Sequence, residues 1–196
     1  MARHGLADPG LLSPLLAWLR WRQAERLLRG VPLASALDVG AGTWPAFLCR
    51  LRCARKVGLE RREPEAPWPE GIERVGFDLA TDAPWPFAER SFDAVTLLAV
   101  LEHLPRDAAV RSLREARRVL SAGGVLVATV PGLRADGILA PLARLGLASR
   151  ENLEEHQHSY DPRSLRATLL EAGFGAEGVE TGSFELGLNG WARARG

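Results

Sequence analysis

Apolar residues in this chain fall into short continuous runs, separated by stretches with helical periodicity. From about Ser13 to Arg29, Leu15, Leu16, Leu19, Leu27 and Leu28 recur between arginines, which predicts a helix. Pro14 suits its first turn and Gly30 its stop. Ala36 to Val39, Lys56 to Leu59, Ile72 to Gly76, Phe92 to Leu98 and Val125 to Val130 read as strands. The run from Phe92 is unbroken enough to expect cover on both faces. Further helices are expected over about Pro45 to Cys53, from a capping Asp107 to Leu120 with Gly123-Gly124 as the stop, and from Asp161-Pro162 to Ala172. Residues 61–71 carry Pro64, Pro67 and Pro69 and read as a loop. Residues 132–160 read as irregular or partly helical. Ala176 to Gly182 and Leu186 to Arg195 predict a closing antiparallel hairpin. Strands alternating with helices define an α/β fold, a doubly wound and mostly parallel sheet with helices on both faces. Residues 1–31 are expected to be an N-terminal helical extension, and residues 32–196 a single domain.

Composition narrows the function without naming it. The 196 residues suffice for one domain with a substantial core. Net charge is +1 and no basic stripe appears, so neither a nucleic-acid partner nor a strong pull to anionic membrane is expected. No apolar stretch reaches the length of a transmembrane helix, so no stable membrane insertion is expected. Cys49 and Cys53 lie one helical turn apart and are expected to be small core residues in a reduced, cytoplasmic setting. The N-terminal helix is expected to pack on the sheet edge. A lid over a ligand and a membrane-surface helix are the other readings of it.

The most informative segment is Ala36-Leu37-Asp38-Val39-Gly40-Ala41-Gly42-Thr43. A strand ends in an acid, a glycine turn follows at once, and Pro45 sits where a helix would begin. A carboxylate before the first glycine would repel a pyrophosphate, so Asp38 argues for a ligand with positive charge at this end. S-adenosylmethionine carries a sulfonium and an ammonium and no phosphate. Acids recur after the next two strands, Glu60 and Asp78, and the ends of parallel strands share one edge. Glu60 follows Asp38 by 22 positions, a spacing that lets it accept from two ribose hydroxyls. Asp78 and Leu79 would flank an adenine.

These motifs resemble those of class I S-adenosylmethionine-dependent methyltransferases, in the small-molecule subgroup. The first motif departs at its third glycine, which here is Trp44. The likeness extends through Gly76-Phe77-Asp78-Leu79, Trp85-Pro86-Phe87, Ser91-Phe92-Asp93-Ala94-Val95, Leu101-Glu102-His103-Leu104, the helix ending Arg118-Val119-Leu120, and Ala172-Gly173-Phe174. The resemblance implies a Rossmann-like, seven-stranded sheet whose last strand is antiparallel. It also implies that Asp38, Gly40, Ala41, Gly42, Glu60, Asp78 and Leu79 hold S-adenosyl-L-methionine, with Ala99 beside the methionine part. The short loop after Glu60 is expected to leave the adenine side more open.

Methyl transfer is an in-line displacement at a carbon that is already activated, so alignment and exclusion of water can supply most of the catalysis. A base helps when the acceptor is a protonated hydroxyl or amine. His103 is the best-placed candidate by residue type. The competing reading is that Glu102 and His103 cap the turn and hold the cofactor loop. His156, His158 and Tyr160 are candidates for the acceptor site, or else part of a polar loop on the sheet edge. The two histidines could face one metal, but no third ligand is fixed by the spacing, so no metal site is expected. The leading expectation is methyl transfer to a small organic acceptor. A catalytically silent protein of the same fold and a nicotinamide-dependent oxidoreductase are the alternatives. Pro45 at the third-glycine position of the dinucleotide pattern counts against the latter.

Overall fold

The computed structural model describes residues 13–64, 66–132 and 160–196. Their elements run α1 (Ser13–Leu27), β1 (Ser35–Val39), α2 (Ala46–Arg50), β2 (Arg55–Glu60), β3 (Ile72–Gly76), β4 (Phe92–Leu98), a 3-10 turn (Leu101–His103), α3 (Arg106–Val119), β5 (Leu120–Pro131), α4 (Pro162–Glu171), β6 (Val179–Phe184) and β7 (Asn189–Arg195). The strands form one sheet in the order β3-β2-β1-β4-β5-β7-β6. The first five are parallel, and β7 joins antiparallel to both β5 and β6. The order reverses between β1 and β4, so the loops leaving those strands open a crevice at the carboxyl edge.

Alternation along the strands sorts the core into two layers. Leu37, Val39, Val57, Leu59, Val95, Leu97, Leu126 and Ala128 face α3 and α4. Ala36, Ala94, Val125 and Val127 face α1 and α2 through Ala24, Leu28, Phe47 and Leu48. Helix α1 therefore covers the interior strands β4 and β5, not the sheet edge, and shares its core with them. At the amino edge, Asp93 accepts from the backbone N–H groups of Ala34 and Ser35 (both 2.9 Å) and from the Ser121 hydroxyl (3.0 Å). Burial would raise its carboxyl, but these donors and the Ser35 hydroxyl bring it below the usual range.

Several local expectations are corrected. Helix α2 spans Ala46–Arg50, shorter than expected, because Leu51 already takes an extended backbone. Cys53 thus lies beyond the helix and is half-buried, while Cys49 is exposed; neither is a core residue. Asp107 sits in the first turn of α3 and does not cap it; Pro105 holds the cap position. The Gly123-Gly124 pair does not stop α3 either. The chain passes straight into β5 at Leu120, and the pair lies in a bulge where the pairing jumps from Phe92–Leu120 to Ala94–Val125. At α4 the expectation holds. Asp161 accepts from Ser164 N (2.6 Å), and Asp161 N donates to Ser164 Oγ (2.9 Å), a reciprocal capping box.

Candidate functional site

The glycine turn is built by contact with the loop beyond β4. Gly40 has φ +71°, and a Cβ there would lie 2.6 Å from Val100 Cγ2. Its N–H donates to Leu59 O (2.8 Å), which ties the turn to β2. A side chain at this position would meet both a steric and a conformational penalty. Trp44 has no left-handed backbone and is 51% exposed, so the third-glycine position here accommodates a large side chain at the surface. Directly across, Ala99 adopts φ +59° as its N–H donates to Thr129 O (2.9 Å). Left-handed alanine is strained, and such strain persists where the surroundings impose it.

The three acids stand at or just past the carboxyl ends of β1, β2 and β3. Asp38 and Glu60 are buried and Asp78 is half-buried. Asp38 Oδ1 accepts from the Thr96 hydroxyl on β4 (2.5 Å). Burial raises the Asp38 carboxyl to about 7; the Thr96 bond opposes this, and the charge of Glu60 adds to it. Glu60 Oε2 accepts from Gly42 N (2.8 Å), and Oε1 accepts from Arg62 N (2.8 Å). Each carboxylate oxygen can accept more than one bond, so this bracing leaves capacity for a ligand. Asp78 Oδ1 accepts from Ala80 N (2.9 Å), and Leu79 packs against the core. The turn thus presents two buried acids beside bent backbone; Glu60 pairs with the largely exposed Arg62 (3.5 Å), while Asp38 has no ion pair among the described residues, an arrangement that suits a cationic ligand.

The segment after β2 holds a surprise. Trp68, in the loop between β2 and β3, lies across β2. A Cβ on Gly58 would sit 2.5 Å from the Trp68 ring. The indole N–H donates to Thr43 O (3.0 Å), which fastens the loop to the glycine turn. The Asp78 side chain is 40% exposed, whereas Gly58 is covered by the Trp68 ring.

Tyr160 is buried at the start of the last helical unit, and burial raises its hydroxyl above the ordinary value. His156 and His158 lie outside the described residues. His103 is half-buried in the 3-10 turn, and its N–H donates to Val100 O (3.1 Å). Its neighbour Glu102 is the deeply buried member of the pair, 1% exposed. Thr96, Val100 and Trp68 were missed from sequence. A threonine inside an apolar strand was the one available signal; nothing in the spacing marked the other two.

The Trp85-Pro86-Phe87 motif is held by α3. Glu115 Oε2 accepts from Trp85 N (2.7 Å), and Arg118 donates to Phe87 O (2.8 Å) and Trp85 O (3.1 Å). Arg118 also forks onto Glu115 through Nε (2.8 Å) and Nη2 (2.7 Å). This clamp fixes the loop between β3 and β4.

The acid–glycine turn stands at the sheet's reversal point, the place where open α/β sheets bind their ligands. The family model of the methyltransferase domain matches residues 37–128. The 27-O-demethylrifamycin SV methyltransferase of Amycolatopsis mediterranei is 30% identical over 197 residues, covering 90% of this chain and 67% of that protein. The methyltransferase GfsG of Streptomyces halstedii is 35% identical over 132 residues, covering 61% of this chain and 46% of that protein. Among solved structures, a SAM-dependent methyltransferase from Archaeoglobus fulgidus superposes with a TM-score of 0.67 at 16% identity, covering 93% and 94% of the two chains. Human N-acetylserotonin methyltransferase in complex with SAM gives 0.67 at 16% identity, covering 94% of this chain and 54% of that one. The chain belongs to the class I S-adenosylmethionine-dependent methyltransferases. It spans about two thirds of the first curated relative and less than half of the second. No described helix is long and apolar enough to cross a membrane.

Proposed function

We propose that this protein transfers a methyl group from S-adenosyl-L-methionine to a small organic acceptor by in-line displacement, in a single domain over 32–196 with residues 1–31 as a helical extension. One observation carries the reading: Asp38 and Glu60 are buried beside a turn in which Gly40 is pressed against Val100. When bound, the cofactor supplies a methyl group on a positively charged sulfur. Asp38 and Glu60 set a negative potential at the turn, and Gly40, Ala41 and Gly42 bring backbone close to the ligand. Glu60 is the ribose acceptor, Asp78 and Leu79 flank the base, and Ala99 lies beside the methionine part.

The relatives support a hydroxyl-bearing organic acceptor, since one of them is named for 27-O-demethylrifamycin SV. Tyr160, together with His156 and His158, belongs to the acceptor side. The wild-type chain is tested with S-adenosylmethionine and 27-O-demethylrifamycin SV as probe, with S-adenosylhomocysteine release as the readout. Donor-dependent release with a methylated product supports the reading. Calorimetry that shows no donor binding overturns it.

A further inference from the structure

Trp68 joins the loop after β2 to the sheet and to the glycine turn at once. A Cβ on Gly58 would lie 2.5 Å from both Cη2 and Cζ3 of its ring, and 3.0 Å from the Ala41 Cβ. The ring therefore rests on bare β2 backbone, with Ala41 of the turn beside it. At its other edge the indole N–H donates to Thr43 O (3.0 Å). A glycine inside a strand weakens it and marks a place that another group approaches closely. At Gly58 that group is the indole.

The register puts this contact beside the two buried acids. Leu37, Val39, Val57 and Leu59 face the α3–α4 layer. By alternation, Asp38, Gly58 and Glu60 face the other side of the sheet. Gly58 is the direct partner of Asp38 on β1 and of Arg74 on β3. Neighbouring strands lie about 4.8 Å apart, so a ring seated on Gly58 has Asp38 one strand away on the same face. Glu60 follows two residues along β2. Asp38 and Glu60 are 5% and 7% exposed. Apart from Trp68, residues 61–71 are arginine, glutamate, proline, alanine and glycine, so the loop has one aromatic ring to set against this face. The loop is pinned at its start as well, where Arg74 donates to Arg62 O (2.9 Å) and pairs with Glu63 (3.1 Å).

We propose that Trp68 is a positioning residue of the donor site: its ring closes the sheet face beside Asp38 and Glu60 against water, and its N–H holds the glycine turn in the shape that meets the donor. This rests on the reading of Asp38, Glu60 and the turn as the donor site, and adds the residue that prepares them. Trp68 acts through the acids and the turn. Removing the N–H alone frees Thr43 O and loosens the turn. Removing the ring also opens the face of β2 to water.

The surroundings of Asp38 make the ring's effect measurable. Thr96 faces it from β4 with a hydrogen bond, and Glu60 of β2 adds a like charge. Arg74 of β3 is two strands away and engaged by Glu63, and Arg50 of α2 is paired with Glu25 of α1 (2.7 Å). The turn from Gly40 to Trp44 carries no charged side chain. Burial is the largest influence on the Asp38 carboxyl. Water admitted where the ring sits lowers that carboxyl towards the ordinary range. A cationic donor favours the ionised form, so the pH dependence of donor affinity reports whether the ring is in place.

The test titrates S-adenosylmethionine by calorimetry, at pH 6 and pH 8, into the full chain as wild type, Trp68→Phe, Trp68→Ala, Gly58→Ala and the double variant. Trp68→Phe keeps a ring and loses the N–H, and should weaken binding about fivefold at both pH values, the size of one hydrogen bond. Trp68→Ala should weaken it about 30-fold at pH 8 and cut the gain between pH 6 and pH 8 from about tenfold to under about twofold. Gly58→Ala pushes the ring off β2 and should repeat that pattern. The double variant should bind no more weakly than Trp68→Ala, because the two changes break one contact. 13C NMR of aspartate-labelled protein should show a neutral-range carboxyl in wild type that moves to lower pH in Trp68→Ala. Binding within about twofold of wild type in Trp68→Ala, weaker binding with an unchanged pH dependence, or additive losses in the double variant overturns the proposal. If wild type binds no donor, the donor reading falls, and the aspartate titration alone decides whether Trp68 shields Asp38.

Discussion

On the β1–β2 side of the carboxyl edge, Asp38 holds the Thr96 hydroxyl, and Glu60 holds the amides of Gly42 and Arg62. On the β4–β5–β7 side, Glu102, Thr129 and Glu185 each keep a buried oxygen without a partner among the described residues. Both sides are polar and shielded; one is braced before any ligand arrives and the other is not. The braced side is the one our proposal gives to the donor. A donor shared across a family is met by a site organised in advance, which lowers the ordering cost of binding.

The hardest way to break the braced side is Gly40→Ala. The new Cβ would meet Val100 at 2.6 Å on a backbone with φ +71°. We expect a stability loss of about 1–3 kcal/mol in chemical denaturation and near-complete loss of donor binding. Adding Val100→Ala should restore part of the stability, because it removes the clash and leaves the backbone strain.

Asp38→Asn should act in two opposite directions. Donor affinity should fall about 30-fold, close to 2 kcal/mol, as a charge-assisted contact is lost. The unliganded protein should become more stable at pH 8. The sign follows from the raised carboxyl: its folded form favours the proton, so its stabilising contribution is complete at acid pH and is lost as pH rises from about 4 towards about 7. A variant that cannot ionise escapes that loss. Thermal melts at pH 5 and pH 8 read it, and equal shifts at both would contradict it.

The same carboxyl predicts a smaller effect in the wild type. A cationic donor favours ionised Asp38, so donor affinity should tighten up to about tenfold between pH 6 and pH 8. Calorimetry in buffers of different ionisation heat should detect proton release below about pH 7. The smallest effect concerns the thiols. Cys49 should react with a thiol reagent well before Cys53, since one is exposed and the other half-buried.

Strand positions were legible where a buried strand needs a continuous apolar run, and Phe92–Leu98 falls where that run predicts; the edge strand Ile72–Gly76 is half-buried and mixes Glu73 and Arg74 with its apolar residues. The acid–glycine turn was legible because a sharp turn at a strand end demands glycine. What the sequence did not reveal lies in contacts between distant residues. Trp68 lies on Gly58 from the loop after β2, and Arg20 of α1 acts electrostatically on Glu102. Neither follows from periodicity, which reports the face of a single element and not its neighbour across the sheet. The Gly123-Gly124 pair misled for a related reason, since a helix stop and a bulge both favour glycine. His103 drew attention by residue type, whereas burial singles out Glu102 next to it.

The most direct measurement is calorimetric titration of wild type, Asp38→Asn and Glu60→Gln with S-adenosylmethionine, and of wild type with NAD. The account predicts one donor site in the wild type, weakened in both variants, and no binding of NAD. Unchanged affinity in both variants, or binding of NAD in preference to S-adenosylmethionine, would contradict it.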